Sequence, residues 1–212
     1  GIDQCEFAIF EGTSDYGELV ICDGVNEPFL FQMTGTGGLA SRTFFAKEIT
    51  VSGTTGPAFG VIHDKHLVVA GASTAKNTIF YSGTNDIDSF SSTGSGSVVI
   101  QDAVVGLASF RSDLIIFCKN SIHKLVNINN SSTVAVVPIT TNVGCVNGGS
   151  IQEVGGDILF LAPDGVRTIA GTARIGDVEL SSVSRQIQKI ISEIASDSAF
   201  IITSGVLRSK SQ

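Results

Sequence analysis

The chain has 212 residues, of which 42% are hydrophobic, 24 are glycine and only 16% are charged. That is enough apolar material for a full core in one domain, or two at most, with turn formers to join many short strands. A net charge of −7 with no cluster of Lys or Arg excludes a surface built to grip nucleic-acid phosphates, which needs concentrated positive charge. The same acidity suits ordinary solubility, or a wall past which DNA slides without sticking.

No apolar run reaches the roughly eighteen residues of a membrane-spanning helix, and Gly1 to Glu6 lack a signal peptide's basic start and apolar stretch. The chain therefore reads as soluble, and its opening without Met as that of a fragment or processed piece. Taken in chain order, one unit recurs four times: an alternating strand, a polar turn, an apolar strand, a second turn and another strand. The first covers residues 7–32, where the apolar run Leu19 to Cys22 follows the polar turn after Glu11, and Pro28 to Phe31 follows across Asp23-Gly24. The second, 59–90, has Val61 to Gly71 and then Thr78 to Tyr81. In the third, 104–127, Ser109 to Cys118 is followed by Ile122 to Val126. The fourth, 148–171, has Glu153 to Ala162 and, after Asp164-Gly165, Val166 to Ile169. Asp-Gly is a strong hairpin signal because Gly accepts the positive φ that the turn imposes. Unbroken apolar runs such as Leu114 to Phe117 and Ile158 to Leu161 predict strands covered on both faces.

After Leu180 the pattern changes. Ser181 or Ser182 is placed to cap a helix in which Val183, Ile187, Ile190, Ile191 and Ile194 recur at helical spacing. Ala199 to Thr203 reads as one further strand, and Ser204 to Gln212 as a polar tail. The apolar anchors Leu19, Leu67, Leu114 and Ile158 recur at roughly 44–48 residues, the spacing of four-stranded propeller blades. The expected fold is all-β and β-propeller-like, with about four blades in residues 1–180, and one amphipathic helix, a strand and the tail in 181–212, where a further blade begins.

No catalytic motif is present. G-x-x-x-x-G-K-[ST], H-E-x-x-H and G-x-S-x-G are missing, and Gly35 to Gly38 lacks the spacing of a dinucleotide loop. His63-Asp64-Lys65-His66 reads as a surface turn in preference to a metal site, and Asn85 to Asp88 as an Asx-rich turn in preference to a calcium loop. Asn129 and Asn130 stand in glycosylation sequons for which no glycan is expected. Arg42, Arg111, Arg167, Arg174 and Arg185, scattered in sequence, read as solvated or blade-edge charges. Cys5, Cys22, Cys118 and Cys145 are too widely spaced for a zinc site and read as buried or half-buried thiols, which fits synthesis in the cytoplasm. Without Trp, and with only Tyr16 and Tyr81, the chain offers a poor stacking platform for sugars. The expectation is no catalytic, cofactor or metal residue, and no cofactor.

Three stretches together carry a resemblance. Leu67 to Gly71 is followed by Ile79 to Gly83 and Asp88 to Phe90, then Gly106 to Phe110 by Asp113 to Lys119, then Gly144-Cys145 by Ile158 to Arg167. In order and spacing, over about residues 59 to 195, this set resembles the blades of bacteriophage tail propeller proteins, of the tail nozzle, tail tubular B and packaged-DNA stabilisation kind. The resemblance implies a non-enzymatic virion component, made in the bacterial host cytoplasm. Its implied place is a homo-oligomeric ring that meets other tail or adaptor proteins and lets DNA pass without specific binding. A different class of function is a tail-associated module that recognises a host surface glycan or protein through loops on one face.

Overall fold

The computed structural model describes residues 6–10, 18–34, 43–169, 185–197 and 202–205. Fifteen strands form four antiparallel sheets, each a meander whose neighbours in sequence are neighbours in space. The first sheet is β1 (Glu6–Phe10), β2 (Glu18–Cys22), β3 (Phe29–Thr34) and β4 (Thr43–Glu48). The second is β5 (Phe59–His63), β6 (His66–Ala72), β7 (Ala75–Tyr81) and β8 (Gly96–Val99). The third is β9 (Val104–Phe110), β10 (Asp113–Cys118), β11 (Ile122–Val126) and β12 (Ala135–Thr140). The fourth has three strands, β13 (Gln152–Val154), β14 (Asp157–Ala162) and β15 (Gly165–Thr168). The all-β class and the four repeating units expected from the sequence are present, and among the described residues a helix, α1 (Gln188–Ser196), follows directly on a 3-10 turn at Arg185–Ile187.

Two-residue hairpins open the second, third and fourth sheets, closing at His63 opposite His66, Phe110 opposite Asp113 and Val154 opposite Asp157. This tight connection needs left-handed backbone. Gly155 and Gly156 supply it at φ 62° and 80°, while Asp64 and Lys65 adopt it at 49° and 69° and Arg111 at 56°. Glycine and non-glycine residues thus serve the same turn at 155–156 and 64–65, while the 111–112 turn is left-handed at Arg111 alone.

The sheets stack in chain order, and the core lies between them. Val20, Cys22 and Leu30 of the first sheet meet Leu67, Val69 and Phe80 of the second. Val68, Ala70 and Ile79 on the other side of that sheet meet Leu114, Ile116 and Leu125 of the third. Ile115, Phe117 and Ile122 then meet Ile158, Phe160 and Ala162 of the fourth, with the Phe117 and Phe160 rings 5.3 Å apart. Middle strands β6, β10 and β14 are covered on both faces, so their apolar runs are continuous instead of alternating. The stack is a fan: β1 lies against β5, and β5 against β9, whereas among the described residues the last strands β4, β8 and β12 make only sparse contact with other sheets.

Those last strands differ most from the sequence reading, which placed three strands per unit. β4 is exposed along its whole length, and β8 and β12 are only partly covered. Without a buried face they carry no apolar period to detect. The strand expected at Ala199 to Thr203 is not formed at Ile202 and Thr203, and its first three residues lie outside the described residues. So do the expected caps Ser181 and Ser182, Val183, residues 11–17 with Tyr16, Gly35 to Gly38, Cys5, Arg42, Arg174 and the last seven residues of the tail.

Candidate interaction surfaces

The histidines at the β5–β6 hairpin are not surface residues. Because His63 and His66 pair across the tight turn, both rings project from one face of the sheet, toward the third sheet, and both are buried. His63 Nδ1 bonds Ser109 Oγ at 2.8 Å, and burial pushes its imidazole below the usual histidine range despite the charges of Asp64 and Asp113. His66 Nδ1 faces the Ser82 carbonyl oxygen, while its Nε2 is 3.0 Å from Asn129 Oδ1 and 3.1 Å from Thr84 Oγ1. Asn129 Nδ2 in turn donates to Asp64. This network fastens the second sheet to the loop after β11, so Asn129, read from sequence only as a sequon, is a structural joint. The side chain of its neighbour Asn130 accepts from Ser132 N at the surface. Asn85 to Asp88 forms turns as expected, with Ile87 tucked into the core and Asp88 paired with Lys47.

Arg167 also departs from the sequence reading. Instead of being solvated it is 6% exposed on the inner side of the fourth sheet, where its guanidinium makes two bonds to Asp164. Those bonds and the charge of Arg167 hold the Asp164 carboxyl below the usual carboxylate range, against the opposing effect of burial. Arg111 does sit at a sheet edge, its guanidinium 4.9 Å from the Phe110 ring and donating to the Gly156 carbonyl of the next hairpin. The Arg185 side chain lies outside the described residues. Cys22, Cys118 and Cys145 are buried as expected, and desolvation pushes the Cys118 thiol up to about 12, which keeps it un-ionised and unreactive at neutral pH.

Among the described residues, two surfaces stand open to a partner away from the helix. One is a cleft of about 590 Å³ between the third and fourth sheets, with Arg111, Asp113, Lys124 and Asp157 on its walls and Phe110 and Ile139 in its floor. Lys124 Nζ is 3.2 Å from Asp113, so charge of both signs is balanced there. The other is the side of the first sheet that faces away from the stack. Ile9, Leu19, Phe31 and Ala46 pair in one row across all four strands, with Met33 and Phe44 in the next. Ile9 is 70% and Phe44 65% exposed. On the equivalent side of the fourth sheet α1 lies against β15, and its Ile191 and Ile194 share with Leu159, Leu161 and Val166 the walls of an apolar cavity of about 320 Å³.

Among the described residues no group of three or more His, Cys, Asp or Glu is placed to hold a metal ion, and no helix is long and apolar enough to cross a membrane. No family model matches the chain, and no curated protein matches it. Among solved structures it is similar to the extracellular domain of a putative hybrid two-component system from B. thetaiotaomicron, at a TM-score of 0.52 and 15% identity. The match covers 86% of this chain and 22% of that one, so the chain spans about a fifth of that structure's length, and the likeness is one of fold.

Proposed function

We propose that the four sheets are blades of a β-propeller-like stack and that the chain is a non-enzymatic structural component of a bacteriophage tail, forming or flanking the DNA-exit channel. The observation that carries this reading is the fan of successive meander sheets. First strands β1, β5 and β9 adjoin one another and the last strands diverge, which is how blades arrange themselves around an axis. Supporting it, the order and spacing of the units are those for which the sequence resembles tail propellers. Continuous sheet-on-sheet burial makes a stiff body suited to a part under packaging pressure, and a net charge of −7 keeps passing DNA from adhering. Its partners on this reading are other tail or adaptor proteins and further copies of itself. Immunogold electron microscopy of virions, with antibody against this chain, tests the assignment: label at the tail tip or beneath the portal is expected, and unlabelled particles would sink it.

A second reading, a tail-associated module that binds a host glycan or surface protein, is favoured by the cleft between the third and fourth sheets, where balanced charges over an apolar floor suit a neutral polar ligand. Micromolar binding on a glycan array that is lost in Lys124→Glu would support it, and label on peripheral fibres would place the chain accordingly.

A further inference from the structure

In the second, third and fourth sheets the first apolar residue of the middle strand points back toward the preceding sheet and is buried: Leu67 and Leu114 at 0% exposure and Ile158 at 1%. Leu19 holds the same place in the first sheet and points the same way, yet no described sheet covers it. The face around it is apolar in every row. Ile21 and Phe29 pair beside Leu19 and Phe31, and Met33 and Phe44 close the far end. Strand alternation puts one charge on this side among the described strand residues, Glu48 at the end of the edge strand β4, while Glu18, bonded by Gln32, borders the hollow at one end of the face. A contiguous apolar surface of a few hundred Å² is the kind that often serves as an association site.

We propose that this face is occupied by the same face of a second copy of the chain, giving a two-fold dimer in which two four-stranded sheets pack front to front. The occupant follows from what is bare. The other faces of the first and third sheets and both faces of the second are filled by neighbouring sheets, and the outer face of the fourth lies under α1. Among the described residues, the apolar sheet face that one copy can offer another is therefore this same one. Such a contact is isologous and stops at two copies instead of growing into a filament. Charge permits it, because a two-fold axis through the face, parallel or perpendicular to the strands, sets each Glu48 over a different corner of the partner. Area permits it as well. Four strands about 4.8 Å apart and five or six residues long make a face of roughly 20 by 17 Å. Two such faces with their flanking side chains bury on the order of 1,000 Å², the lower end for a specific interface. The dimer is accordingly a concentration-dependent one, with a dissociation constant on the order of micromolar. It rests on the open face alone and stands whether or not the chain is a tail component.

Sedimentation velocity of the 212-residue chain over roughly 1 to 200 µM, on either side of that dissociation constant, tests the proposal. The expected result is a monomer–dimer equilibrium, with binding of an apolar dye falling as the dimer forms. Phe44→Glu and, independently, Ile9→Lys are expected to weaken it at least tenfold, while Val99→Glu, on an equally exposed site of the second sheet, leaves it unchanged. A wild-type chain that stays monomeric throughout would overturn the proposal. So would a dimer that persists in both variants, or one that is lost instead in Ile190→Glu, which would mean head-to-tail contact through α1.

Discussion

Asn129 and Asn130 are adjacent, carry the same side chain and stand in overlapping sequons, yet they differ in what they hold. Asn129, from the third unit, joins both buried His66 and Asp64 of the second, whereas Asn130 shapes its own turn. Truncating a partner of a buried polar ring costs about 1–3 kcal/mol, and a surface bond much less. Because Thr84 still reaches His66 Nε2, Asn129→Ala is expected to lower stability by about 1 kcal/mol and Asn130→Ala by less than about 0.5 kcal/mol, read from urea unfolding midpoints. The Arg167–Asp164 pair gives a second residue-level outcome. Breaking a buried ion pair costs about 3–5 kcal/mol, but Asp164 is 46% exposed and its charge is screened by water, which brings the expected loss in Asp164→Asn to about 1–2 kcal/mol. Because the folded carboxyl titrates below its ordinary 3.8, its contribution is complete above that pH and disappears as the pH falls through the depressed value. Thermal melts of wild type and Asp164→Asn should differ at pH 7 and converge toward pH 2.

At the scale of elements, the connection from the third sheet to the fourth is a strap, 144–147, held by Cys145 N on the Cys118 carbonyl and Val146 N on the Leu161 carbonyl. A Cβ at Gly144 would lie 2.2 Å from the Lys119 carbonyl oxygen, which is backbone and cannot rotate away. Gly144→Ala must lift the strap, break these two bonds and loosen Cys145 in its fully buried site. The expected cost is about 2–3 kcal/mol, checked by unfolding, with faster amide exchange at Cys145 and Val146. The first three strands of each unit were legible in sequence because their apolar runs and turn residues report burial and backbone angles directly. β4, β8 and β12 were not, since an exposed last strand is defined by pairing with its neighbour instead of by its own pattern. The two-residue turn at Asp64-Lys65 carries no glycine, and its left-handed backbone is imposed by the register of the strands on either side.

For the molecule as a whole, the two ends of the stack are unlike. The last sheet carries α1 on its outer side, and no described element lies on that of the first. A polar group introduced at Ile191, beneath the helix, is expected to cost about 1–3 kcal/mol, because it desolvates a charge against Leu159 and Leu161. Phe44→Glu at the open end should leave the stability of the folded monomer within about 0.5 kcal/mol, because that side chain is already in water. Denaturant titrations of Ile191→Asp and Phe44→Glu, run well below the dimer's dissociation constant, check both. The sequence by itself determined the all-β class, the number and order of the units, the hairpins and the amphipathic helix, since each follows from local periodicity and turn chemistry. Tertiary structure alone decided that His63, His66 and Arg167 are buried and that Asn129 is a joint. It also decided which face of the first sheet is left open and what lies on either side of the charged cleft, because these depend on which sheet comes to rest against which, a relation between residues some 45 apart that no local pattern encodes.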